Sequence, residues 1–302
     1  MIPYGAMSAK SEAPAAFRNA AGENGPITLI REGIADIRSR QRLVRYLVQA
    51  DMHKRGADSV LGNVWWVLDP LLQMVVYWFF VTLIVRRPLP DYPLFIFSAI
   101  LPWKWFAASI QDATASVVSQ ERLIKQIAFP KLVLPISAVT AGVVGFVFGL
   151  IPLGLLMLFY PDRISIYLVF IPVIAAVQYV FTLGLSLLVA AGNVFFRDLG
   201  NVSQHVLRLW WFLSPGLYSL ALLDEMAIFQ NNPILKVLLA ANPFAILFDA
   251  YRTVIYGTVQ PAGPPTTPDW ASLTILLVAS LGLVAVAIVA FKRLEPNFAK
   301  VL

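Results

Sequence analysis

Four side chains in one apolar stretch, Trp66, Asp69, Gln73 and Tyr77, have types and spacing that could do chemistry. Separated by 3, 4 and 4 residues, they fall on a single stripe of a helix. A carboxyl and an amide are costly in lipid, so this stripe must face protein or a wet path that conducts a polar solute. The alternative is a helix-packing seam whose polar groups satisfy one another. Gln178, Thr182 and Ser186 repeat every four residues and give a second such stripe. Covalent chemistry has no visible equipment. The chain lacks cysteine, a Gly-Lys pair for a phosphate-cradling loop, a DxD carboxylate pair, HExxH and GxSxG. We therefore expect no catalytic residues, no metal site and no nucleotide bound by this chain.

The elements that position the first stripe are membrane-spanning. Val64 to Val85 is 22 residues with one charge, Asp69, and at about 1.5 Å per residue it reaches roughly 33 Å, the depth of a bilayer core. The 302 residues are 59% hydrophobic and 13% charged, with mean hydropathy +0.73, too apolar for ordinary soluble domains. The expected fold class is an all-α integral membrane protein with six transmembrane helices. Net charge +6 is explained by membrane lipid beside the spans, not by nucleic acid.

Taken in order, residues 1–26 read as a disordered tail with no cleavable signal core. Residues 27–63 form an amphipathic segment, with Ile30, Ile34, Ile37, Leu43 and Leu47 set among Arg31, Arg38, Arg40, Arg42 and Arg45. That suits a helix lying on the membrane surface, or a solvated helix packed on another subunit. The six-span region is 64–291. Its second span, Leu94 to about Val118, contains Pro102, which should kink or break it, and Lys104 between Trp103 and Trp105, a pattern suited to interfacial anchoring or to meeting an anionic headgroup.

Further spans are expected over Leu134–Phe159, Ile164–Phe195 (with a bend at Pro172 or a cytoplasmic projection), Val206–Leu223 and Trp270–Phe291, with 292–302 as a cytoplasmic tail. Residues 233–256 are cut by Asn242 and Pro243 into pieces too short to cross, so a re-entrant pair is expected there. Trp65 and Trp210 suit interfacial anchoring. Nine Lys and Arg precede the first span, three follow the second, two follow the fourth and three lie in the tail, 17 of 23, which puts both termini in the cytoplasm.

The loop Ser119–Leu134 arranges Glu121, Arg122, Lys125 and Lys131 around Leu123, Ile124, Ile127 and Phe129. It reads as a short amphipathic helix parallel to the membrane, a handle for a cytosolic motor, or else a charged loop that only fixes topology.

Four blocks in order, RGADSVLGNVWWVLDPLLQMVVY, YPLFIFSAILPWKWF with RLIKQIAFPKLVLPIS, NVFFRDLGNVSQHVLRLWWFLSP and ANPFAILFDAYRTVIYG, together with the terminal LEPNFAKVL, resemble the permease subunit of bacterial ABC transporters that export polysaccharides such as O-antigen, capsule and teichoic acid. The resemblance implies a homodimer in the plasma (inner) membrane, paired with two ATPase subunits that hold ATP and Mg and passing a lipid-linked glycan. It implies coupling to the ATPase through Glu121, Arg122, Leu123, Lys125 and Phe129, with Arg197 and Asp198 as a second contact, and a re-entrant gate at Asn242, Pro243 and Arg252 on the outer side. Trp66, Asp69, Gln73, Tyr77, Trp211 and Tyr218 become candidates to line the conduit, because aromatic faces can slide along sugar rings. Lys104 departs from the family's more usual neutral residue. A drug or small-lipid permease, or a membrane glycosyl or phosphoryl transferase, are the competing functions.

Overall fold

The computed structural model describes residues 25–57, 62–85, 89–219, 232, 234, 237, 239, 241–259 and 263–302. Residues 1–24 of the expected disordered tail and most of the first arm of the expected re-entrant pair lie outside them, while Pro26 already opens the first helix. All regular elements among these residues are helical: α1 (Pro26–Ser39), α2 (Gln41–Ala57), α3 (Trp65–Phe80), α4 (Tyr92–Ser116), α5 (Glu121–Gln126), α6 (Val133–Met157), α7 (Ile171–Phe195), α8 (Leu199–Leu213), α9 (Pro243–Ile255) and α10 (Trp270–Val301). Four stretches, Tyr92–Gln126, Val133–Met157, Ile166–Phe195 and Trp270–Val301, are long and apolar enough to cross a membrane. The chain is an integral membrane protein.

These long helices run between two ends. At one end α1, α2, α5 and the far ends of α7 and α10 share an apolar cluster that includes Ile124, Leu132, Val194 and Phe298, with Ile37, Val44 and Leu47 against it. The larger cluster holds the rest of α4 with α9 and the start of α10, among them Phe95, Phe106, Phe248 and Leu273. At the opposite end Arg163 clamps three connections. Its guanidinium donates to Asp91 Oδ2 at 3.0 and 3.1 Å and to the carbonyls of Tyr256 at 2.8 Å and Gly263 at 3.1 Å. Gly257 turns there with φ +104°, and a Cβ would stand 2.3 Å from the Gly263 oxygen, so only glycine fits.

Several expectations are corrected. The amphipathic segment is two helices separated at Arg40. Leu29 and Gly33 of α1 are buried, and a Cβ on Gly33 would meet Ile288 at 2.6 Å, so α1 lies directly on α10. Pro102 does not break α4, which continues 25 residues through it. Every residue from Leu94 to Trp103 is buried, and this packing outweighs the roughly 3 kcal/mol an interior proline costs. Pro172 sits in the first turn of α7, where its fixed φ suits a helix start, and the residues before it form a 3-10 turn, Ile166–Phe170. The fifth apolar helix, α8, begins earlier and stops at Leu213. Residues 292–301, expected as a tail, continue the helix of the last span: α10 runs for 32 residues to Val301.

Trp103 and Trp105 are 6% and 4% exposed. They are core residues and not interfacial anchors, with Trp103 edge-on to Phe244 at 4.7 Å. Trp210 is also drawn inward, edge-on to Phe106 at 5.5 Å. Trp65 is exposed as expected.

Asp269 caps α10 by accepting from the backbone N–H groups of Ala271 at 3.0 Å and Ser272 at 3.4 Å. The Ser272 hydroxyl and these bonds hold its carboxyl below the usual Asp range. Asp269→Ala should cost about 1 kcal/mol and speed hydrogen exchange in the first turn of α10, with the rest of that helix unchanged.

Candidate functional site

The α3 stripe is turned toward α4 and α8. Asp69 forms an ion pair with Lys104, whose ammonium also donates to Gln73 Oε1 at 3.1 Å. Gln73 in turn donates to the Tyr77 hydroxyl at 3.3 Å, and the Tyr77 ring stacks on Trp211 with centroids 5.9 Å apart. Four of the six conduit candidates are thus brought into one row. The sequence had set Lys104 apart as an anchor, yet it is the residue that joins them. One helix turn separates Asp69 from Gln73 on α3, so a single ammonium from α4 can reach both. The side chain of Trp66 lies outside the described residues. Trp211 is 3% exposed and packs against Tyr77, Trp103 and Phe248.

The second stripe is wholly internal. Gln178 donates to the Pro102 carbonyl at 2.8 Å, Thr182 bonds back to the Gln178 carbonyl at 2.8 Å, and Ser186 is fully buried. Of the three, Gln178 ties α7 to α4.

The gate candidates form the start and body of α9. Asn242 caps α9 by accepting from Phe244 N–H at 3.0 Å and from Trp210 Nε1 at 3.0 Å, while its amide donates to Ser214 Oγ at 2.8 Å. Pro243 follows at the first helical position, where a missing N–H costs nothing. Arg252, 5% exposed, donates to the carbonyls of Pro215, Gly216 and Tyr218, and its guanidinium lies 3.8 Å from the Phe95 ring centroid. It binds the turn after α8 to α9 and α4. Tyr218 enters through its backbone carbonyl.

The coupling candidates lie at the end that carries α1 and α2. A 3-10 turn, Val118–Gln120, leads into α5, where Ile124 is buried as the anchor while Arg122 is exposed. Leu123 is partly covered, and Phe129 packs on the apolar cluster beneath. Lys125 donates to Glu121 at 2.7 Å, and that bond, with the Arg197 and Arg122 charges nearby, holds the Glu121 carboxyl below the usual Glu range. Arg197 and Asp198 are exposed at the start of α8, so the two separate candidate contacts share one charged face.

Two residues escaped the sequence reading. Glu295, 9% exposed, accepts the backbone N–H of Lys131 at 2.7 Å and pairs with Lys292 at 3.4 Å, which itself pairs with Asp36 of α1. Glu295 and Lys131 are 164 residues apart, so no spacing could announce them; the only hint was a carboxyl placed just after an apolar span. Arg163 of the opposite end was likewise missed, because its partners Asp91, Tyr256 and Gly263 are 72 to 100 residues away. Among the described residues no group of three or more His, Asp or Glu could hold a metal.

Together these elements define an integral membrane protein that gathers its polar groups into seams between helices and presents a charged, partly apolar face at one end. No protein-family model matches the chain. It is 32% identical over 254 residues to the O-antigen export system permease protein RfbA of Myxococcus xanthus, a match covering 84% of this chain and 94% of the relative. Two proteins of the same description from Klebsiella pneumoniae are 29% and 27% identical over 262 and 261 residues, each covering 86% of this chain and 95% of its own length. The chain belongs to the family of O-antigen export system permeases.

Proposed function

We propose that this chain is the membrane subunit of an ATP-driven ABC exporter that carries a lipid-linked polysaccharide, O-antigen or a similar polymer, outward across the bacterial plasma membrane. The observation that carries this reading is the match to an O-antigen export permease over 94% of that relative's length. Two copies would pair with two ATPase subunits, and ATP and Mg would be bound there. Residues 26–57, α5, Arg197 and the end of α10 gather at one end with most of the positive charge, which supports placing both termini in the cytoplasm. Six spans are proposed by adding α3 and α8 to the four long helices, with α9 as the second arm of a re-entrant pair on the outer side.

In this reading α5 is the handle. Ile124 roots it, while Glu121, Arg122, Leu123 and Lys125 offer charge and apolar surface, backed by Phe129 and flanked by Arg197 and Asp198. Glu121→Lys should abolish co-purification of the ATPase while the protein stays in the membrane; intact association would remove α5 from the role. Lys125 keeps Glu121 ionised below the ordinary Glu range, so its contribution is present at neutral pH and fades only as pH falls through that lowered value. Co-purification should then be flat between about pH 6 and pH 8. Depleting the protein should leave lipid-linked glycan inside the cell. Unaltered glycan with new drug sensitivity would assign a different cargo.

A further inference from the structure

A cleft of about 290 Å³ opens between α3, α4 and α6. Its walls are mainly apolar, with Pro70, Leu101, Phe146 and Gly145 among them, and Met52 of α2 and Trp65 at the start of α3 also line it. Two opposite charges stand in it: Asp69, whose side chain is 61% exposed, and Lys104, 28% exposed, joined as an ion pair.

A neutral pair of full charges beside apolar walls in a membrane gives little net attraction to a simple anion or cation. It does complement a molecule that carries both signs a few ångströms apart and has an apolar body. We propose that this cleft seats a zwitterionic phospholipid of the phosphoethanolamine type. The lipid ammonium lies on the exposed Asp69 carboxylate, the phosphate on Lys104, and the acyl chains run along Pro70, Leu101 and Phe146. Lys104 is held to α3 through Asp69 and Gln73, so the lipid head is met by a pre-formed acid and base. This assignment does not rest on the export reading.

The test is lipid retention and not transport. Purified protein equilibrated with equal amounts of phosphatidylethanolamine and phosphatidylglycerol should, by native mass spectrometry, keep the ethanolamine lipid with about tenfold preference, the worth of one additional charge-assisted bond. The double variant Asp69→Asn, Lys104→Gln should lose that preference. Should it fail to fold, Gly145→Leu provides an independent probe: Gly145 lines the cleft and nothing lies within 4 Å of where a Cβ would stand, so the side chain can enter the cleft while both charged residues are kept. Gly145→Leu should keep its lipid-free melting temperature and lose the retained lipid. Equal retention of phosphatidylglycerol, or unchanged retention in Gly145→Leu, would overturn the proposal. So would full displacement by water-soluble glycerophosphoethanolamine, which would mean a site for a free phosphoester.

Discussion

Arg252→Met should cost the folded protein about 3–5 kcal/mol, the range for removing one partner of a buried charged network. Methionine fills much of the space but donates nothing, so the carbonyls of Pro215, Gly216 and Tyr218 lose their donor at once, and each orphaned buried acceptor is costly. The face of Phe95 loses its cation as well. Arg252→Lys should fall between the two, because a point ammonium cannot span three carbonyls held in a turn as a planar fork does. Denaturant unfolding followed by tryptophan fluorescence measures both; Trp210 and Trp211 stand just before the turn and should report it. An Arg252→Met protein as stable as the parent would show that the turn is held by α8 and α9 alone.

Glu295→Ala should cost about 2 kcal/mol, since the Lys131 N–H and the Lys292 ammonium both lose a buried acceptor. Its second effect follows from position. Lys131 closes the segment that begins at α5, so Glu295 moors the proposed handle to α10. Without that mooring a push on α5 is spent on local bending, and export per ATP hydrolysed should fall more steeply than ATPase association. Glu295→Gln keeps an oxygen for the N–H and should restore stability in part while leaving the Lys292 pair weakened. Equal losses of export and association in Glu295→Ala would assign the residue to stability alone.

How much was legible in the sequence differs by feature. The α3 stripe, the cut at Asn242 and Pro243 and the amphipathic α5 are local patterns of period and polarity, and each is an element of the fold. Long-range partners were not legible. Lys104 between two indoles looks like an interfacial anchor until α3 is laid against α4 and supplies Asp69 and Gln73. Pro102 looks like a break because its cost is local, whereas the packing that overcomes it comes from α6 and α7. The end of α10 read as a tail because Lys292, Arg293 and Glu295 interrupt the apolar run, yet α1 arrives with Asp36 to neutralise Lys292 and the helix persists. Family resemblance supplied the ATPase, the dimer and the cargo, none of which can be read from spacing.

The unbroken length of α10 has a mechanical consequence. Its 32 residues make a rod of about 48 Å, stiff along its axis, tied in its second half to α1 through Ile288 and Lys292 and to the segment after α5 through Glu295. If such a rod rocks about its midpoint by about 5°, simple geometry on that length moves each tip by about 2 Å. That is enough to shear the packing of Leu273 and Leu276, in its first turns, against the cluster that holds α9, so a nudge received at one end of the rod can be delivered at the other without any element unfolding in between.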